Sequence, residues 1–150
     1  GGGDSSDIVI RGNVFLAGVN PHVQGIFMDD ATYRDVLIED NVIYTGMLRG
    51  ITVSRGSNIT VRHNTVLNMP GAGHKATVIS VPPDSIVSDN ILSGTKGGRH
   101  GSNVIVQHRD AVAPYYYADL IQNGFAGPAA QLDDLRPIAG QAAADKGARR

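Results

Sequence analysis

The sequence predicts an all-β solenoid, a stack of short coils built from repeated strands. Three observations carry that reading. One short phrase recurs four times around Asn13, Asn41, Asn64 and Asn90, which are spaced 28, 23 and 26 residues apart. Aliphatic residues alternate with other residues through the copies, and a further β-rich run precedes copies two to four. Nineteen glycines, three phenylalanines and no tryptophan suit many tight turns around a narrow aliphatic core. Self-similarity at a period of roughly 20–50 residues is the mark of stacked, quasi-one-dimensional architectures.

The copies read as follows, in chain order. Asp7-Ile-Val-Ile-Arg-Gly-Asn13-Val-Phe alternates Ile8 and Ile10 with Val9 and Arg11. Asp35-Val-Leu-Ile-Glu-Asp-Asn41-Val-Ile alternates Val36 and Ile38 with Leu37 and Glu39. Asn58-Ile-Thr-Val-Arg-His-Asn64-Thr-Val alternates Ile59 and Val61 with Thr60 and Arg62. Ser85-Ile-Val-Ser-Asp-Asn90-Ile-Leu puts Ser85 where the first inner aliphatic belongs and keeps Val87. Period-two alternation sends one set to each face of a strand, and β-branched inner residues fit a half-buried surface. Val9 and Leu37 are apolar on the outer face, with Thr60 interrupting them, which implies an occluded outer surface.

The asparagines are expected at the bend between two strands, in the left-handed backbone region that Asn tolerates. Stacking brings Asn13, Asn41, Asn64 and Asn90 into register at ~4.8 Å, close enough for an amide ladder. Their expected role is structural.

Gly25-Ile-Phe-Met-Asp29, Gly50-Ile-Thr-Val-Ser54 and Ala76-Thr-Val-Ile-Ser-Val81 supply a third strand to each coil. Three strands in a coil of about 25 residues resemble the right-handed parallel β-helix, the pectin-lyase-like superfamily. The resemblance covers Asp7 to about Gln107 and implies about four to five coils with an irregular C-terminal cap. The coils are expected over residues 1–110 and the cap and tail over 111–150, as one domain. With no amphipathic cap ahead of Asp7, the chain is expected to be the C-terminal part of a longer β-helix, because open stack edges invite pairing.

Gly94 to Gly101 reads as a loop and Asn103-Val-Ile-Val-Gln107 as a last strand. Gly94 to Gly101 lacks the Gly-Lys-Ser/Thr ending of a phosphate loop. Tyr115, Tyr116, Tyr117, Leu120, Ile121 and Phe125 are expected to plug the end of the stack, with only a brief helical turn near Ala118 to Asn123. The segment from Leu132 to Gly147 is similar to a recurrent ending of bacterial β-helix proteins, which implies a strap across the final coils.

Thirteen Lys and Arg against fourteen Asp and Glu provide no basic field for nucleic acid. No run approaches the ~20 apolar residues of a membrane span. The absence of cysteine excludes disulfides and thiol chemistry.

Candidate chemistry is sparse. Asp29 and Asp30 sit beside the groove where β-helix enzymes commonly bind polysaccharide. Two carboxylates could share the acid and base roles of glycoside hydrolysis, yet adjacent strand residues point apart and such a pair commonly forms a turn. The Asn-x-Asp, Gly-His-Gly and Arg-x-Lys signatures of polygalacturonase-like hydrolases are missing. Aligning Gly25 with Gly50 stacks Asp30 over Arg55 as a surface ion pair. His74 and Lys75, in a glycine-rich loop, could supply the base of a lyase. The expected substrate-binding face holds Phe27, Asp29, Thr52 and Arg55. His22, His63, His100 and His108 are dispersed, so no metal site is expected. No cofactor is expected, and a calcium ion has no residue set to support it.

Two functions follow. The first is a structural or adhesive module of a bacterial surface protein or phage spike, extracellular or virion-associated, which binds glycan or neighbouring subunits, with a homotrimer as the arrangement the spike resemblance implies. The alternative is a lyase or hydrolase acting on an acidic polysaccharide.

Overall fold

The computed structural model describes residues 3–71 and 76–149. The first coil runs β1 (Asp4–Arg11), β2 (Val14–Leu16) and β3 (Ile26–Met28). The second runs β4 (Thr32–Glu39), β5 (Val42–Thr45) and β6 (Arg49–Val53). The third runs β7 (Gly56–Arg62), β8 (Thr65–Asn68) and β9 (Val78–Ser80). A shorter coil follows, β10 (Ile86–Ser88), β11 (Ile91–Leu92) and β12 (Thr95–Lys96), then the pair β13 (Arg99–Gly101) and β14 (Val104–Ile105). Every strand pairs in parallel with its counterpart one coil away, giving sheets ordered β1-β4-β7-β10-β13, β2-β5-β8-β11-β14 and β3-β6-β9-β12. The chain is therefore an all-β parallel β-helix. Three coils are full-sized; the next is cut to a spacing of 13 residues from Asn90 to Asn103.

Register follows the alternation. Ile8 pairs Val36, which pairs Ile59, and Ile10 pairs Ile38, which pairs Val61 and then Val87. These columns meet Phe15, Ile43, Val66, Leu92, Ile26, Ile51 and Ile79 in one aliphatic lumen. Ser85 enters that lumen as expected. It is buried, and its hydroxyl finds no hydrogen-bond partner among the described residues.

The asparagine side chains stack from coil to coil. Asn64 Oδ1 accepts from both the backbone N–H and the side-chain Nδ2 of Asn41, at 3.0 and 2.9 Å. Asn90 Oδ1 does the same for Asn64, at 2.8 and 3.1 Å. Each Nδ2 also reaches a lumen-strand carbonyl of the preceding coil: Asn41 to Ile10, Asn64 to Ile38, Asn90 to Val61. Asn13 joins at one end, and Asn103, outside the four repeats, extends the row at the other.

One expectation is corrected. The left-handed residue is the one before each asparagine: Gly12, Asp40, His63, Asp89 and Ser102, with φ of 70°, 55°, 51°, 56° and 56°. That residue, a glycine, aspartate, serine or histidine, makes the bend, and the asparagine after it turns its amide into the stack.

The aromatic cluster is also corrected, because it does not plug the end. After a four-residue helix, α1 (Tyr117–Leu120), the chain folds over the outer face of the second sheet. Tyr117, Leu120, Ile121, Leu135 and Ala143 pack on Val42, Tyr44, Leu67 and Ile91 in a second core. Every residue of β5 and β8 is thus buried. Tyr44 donates to the Gly124 carbonyl at 2.8 Å, and Tyr117 to the Asn68 carbonyl at 2.8 Å. The terminal strap then runs back along the stack. Gly147 N–H bonds the Asp89 carbonyl, Ala148 N–H bonds Thr65 Oγ1, and Arg149 grips Asp40 through Nε at 2.9 Å and Nη2 at 2.8 Å. Gly147 has φ 77°, and a Cβ there would stand 2.5 Å from Thr65 Oγ1, so the close approach demands glycine.

Glu39 lies at this junction rather than in a solvated turn. It is 2% exposed and accepts from Arg11 and Arg62, with Arg149 Nη2 at 3.5 Å. The Arg62 hydrogen bond, then that of Arg11, hold its carboxyl below the usual range against the opposing push of burial. Arg149 does the same for Asp40.

Three outcomes test this account. Asn64→Ala strips acceptors and donors from three coils at once and lowers unfolding free energy by about 3 kcal/mol in urea titration. Ser85→Ala removes an unpaired buried hydroxyl and raises stability by about 1 kcal/mol. Both carboxylates at the strap end have depressed folded pKa values, so their contribution is complete above the ordinary carboxylate range near 4 and is lost as pH falls through the depressed values. Asp40→Asn, which keeps the left-handed bend, therefore melts earlier than the parent at pH 7, and the gap closes in strong acid.

Candidate functional site

The second sheet is covered by the strap, while no described residue covers the outer faces of the other two. On the third sheet the register places Phe27 beside Thr52, Thr52 beside Ser80, and Ser80 beside Lys96. A cleft of about 490 Å³ runs along this face between Leu48, Arg49, Thr52, Val78, Ser80 and Lys96. Phe27 is 41% exposed, and the Arg49 guanidinium carbon lies 4.7 Å from its ring centre. That distance is within cation–π reach. A register shift between Arg49 and Ile51 sets Arg49 opposite Val78. Such irregularities re-aim a side chain. Gly50 permits it, because a Cβ would stand 2.4 Å from Val66 Cγ1.

Phe27 and Thr52 therefore share one column, with Asp29 and Arg55 just beyond the ends of β3 and β6. The two carboxylates are held by different donors. Ser54 Oγ donates to Asp29, and Tyr33 OH donates to Asp30 at 2.5 Å. The Tyr33 hydroxyl, with the residue's own amide, keeps the Asp30 carboxyl below its usual range. That is the wrong direction for a general acid, which needs a raised pKa. The expected Asp30–Arg55 ion pair is absent among the described contacts. Arg55 donates instead to the Asp29 carbonyl at 3.1 Å and the Ala31 carbonyl at 3.5 Å, bracing the turn.

His74 and Lys75 lie outside the described residues. His100 bonds Gly97, Thr95 and Asn103 at the end of the stack. His108 joins a polar seam under the strap, with Nε2 3.0 Å from Asn68 Oδ1 and Ser93 Oγ 2.8 Å from Tyr117 OH. Burial pulls the His108 imidazole down and pushes the Tyr117 phenol up. No group of three metal-ligating side chains occurs among the described residues. No helix among them is long and apolar enough to cross a membrane.

Arg49, Ser80 and Lys96 escaped sequence reading as groove residues. Aligning the three β-rich runs would have found Ser80. Arg49 could not be placed without the irregularity at Gly50.

A family model described as a right handed beta helix region matches residues 2–80, more than half of the chain. The protein belongs to that family. No curated protein and no solved structure matches it. The coils continue past the matched segment, since Asn90 and Asn103 extend the same ladder.

Proposed function

We propose that the protein is a structural or adhesive β-helix module that binds an acidic glycan along the outer face of its third sheet, outside the cell or on a virion. The observation that carries this reading is the column Phe27–Thr52–Ser80–Lys96 with Arg49 laid over Phe27. An exposed ring offers a face for a sugar, two cations offer partners for its carboxylates, and hydroxyls offer hydrogen bonds. Binding sites combine an apolar surface with a few placed polar groups in this way. Strand spacing repeats these groups every ~4.8 Å along the axis, so an extended chain can be followed over several coils.

The alternative, a polysaccharide lyase or hydrolase, has less support. Asp29 and Asp30 are separately engaged, and the Asp30 carboxyl is shifted away from general-acid duty.

Titration calorimetry against acidic and neutral polysaccharides, run beside assays for unsaturated uronate and new reducing ends, separates the two. The expected result is salt-sensitive binding of acidic chains without turnover. Phe27→Ala and Arg49→Ala each weaken it by about tenfold, the scale of a partly desolvated cation–π contact. Undiminished binding in both variants would sink the groove assignment. Turnover would move the function to the enzyme reading and direct attention to Asp29 and Asp30.

A further inference from the structure

We infer that the outer face of the first sheet binds a second copy of this chain, side by side with the two helix axes parallel. The inference is independent of the glycan groove, which lies on another sheet.

Three columns run up this face. The central one is Val9, Leu37, Thr60 and Ile86, in register along β1, β4, β7 and β10. Val9 is 59% exposed and Ile86 52%, and Leu37 and Thr60 are partly open. Arg99 ends the column, with its guanidinium 3.3 Å from Asp84. Two residues to one side stand Asp7, Asp35 and Asn58, each with left-handed φ and an exposed side chain, with Asn58 Nδ2 on Asp35 Oδ1 at 2.6 Å. Two residues to the other side stand Arg11 and Arg62, closed over the buried Glu39. A shallow recess of about 430 Å³ connects the acidic and apolar columns and reaches Arg62.

An apolar stripe with acid on one flank and arginine on the other is self-complementary in one orientation. A two-fold axis along the stripe exchanges left and right while keeping height. It sets Asp7 against the partner's arginine flank near Arg11, Asn58 near Arg62, and Asp35 between them. A two-fold axis across the stripe sets acid against acid and arginine against arginine. Like charges brought together resist docking, and an isologous contact must match itself. The parallel pair therefore wins. Five strands at ~4.8 Å and three outward columns offer roughly 400 Å² per copy, below the standard interface. The association is therefore weak and concentration-dependent.

The absence of native cysteine makes the geometry directly readable. Light scattering over a concentration series is expected to show a monomer–dimer equilibrium that high salt weakens. Ile86→Lys, on an exposed position, and Leu37→Glu should each hold the chain monomeric. Under mild oxidation, Val9→Cys and Ile86→Cys should each cross-link to themselves, while a mixture of the two should give little mixed product. A monomer at every concentration overturns the inference, as does a trimer. Mixed Val9→Cys/Ile86→Cys product in excess of either self-linked one overturns the parallel arrangement.

Discussion

The structure depends on one constraint: an amide placed in the dry wall of a stack must be satisfied by the coils above and below it. Asn64 illustrates it. Its oxygen takes two N–H groups of Asn41, and its nitrogen gives to Ile38, Arg62 and Asn90. A buried polar group left unpaired costs more than a made hydrogen bond gains. Slipping one coil by a residue would orphan the amide and turn the lumen aliphatics outward at the same time. The ladder and the lumen therefore enforce the same register. Every outward column inherits its alignment from them, including Phe27 over Thr52 and Val9 over Leu37.

With register set, the three outer faces diverge by what covers them. The second sheet receives the strap and becomes a core on both sides, so β5 carries four buried residues in a row. Among the described residues the cover reaches the second coil, where Arg149 meets Asp40, and in the first coil Val14 stands 41% exposed. The third sheet keeps a polar and aromatic column with a cleft. The first keeps an apolar stripe between opposite charges. A single aliphatic tube can thus carry a folded-back tail, the proposed glycan groove and the proposed self-pairing face without changing its interior.

The architecture was largely legible because period-two alternation and a recurring asparagine are local signals. Ile8, Val36 and Ile59 could be assigned to the lumen from spacing alone, and so could the stacked row of amides. The bend was misassigned by one residue. Asn tolerates positive φ, but Gly12, Asp40, His63, Asp89 and Ser102 adopt it here, and the competing demand on the amide decides between them. The resemblance of the segment from Leu132 to Gly147 to a recurrent β-helix ending implies a strap, but not its path. Nothing in the sequence near Tyr117 says that its ring faces the second sheet rather than the open end. Burial of Glu39 was hidden for a similar reason, since Arg11, Arg62 and Arg149 come from three distant segments.

The proposal of binding rather than catalysis along this wall rests on how a β-helix repeats its side chains. Catalysis by carboxylates needs two groups aimed at one bond, with environments that separate their pKa values. In a β-helix, neighbouring coils repeat the same direction, so a column naturally builds rows of similar contacts rather than convergent pairs. Convergence requires a bulge or a loop to re-aim a side chain. Along this wall the clear irregularity is at Gly50, and it delivers an arginine onto an aromatic ring. A cation over an exposed ring beside a row of hydroxyls has the chemistry that the proposed binding of an anionic glycan calls for. The turn after β3 is braced by its own polar groups, with Asp29 bonded by Ser54, Asp30 by Tyr33, and Arg55 to two carbonyls.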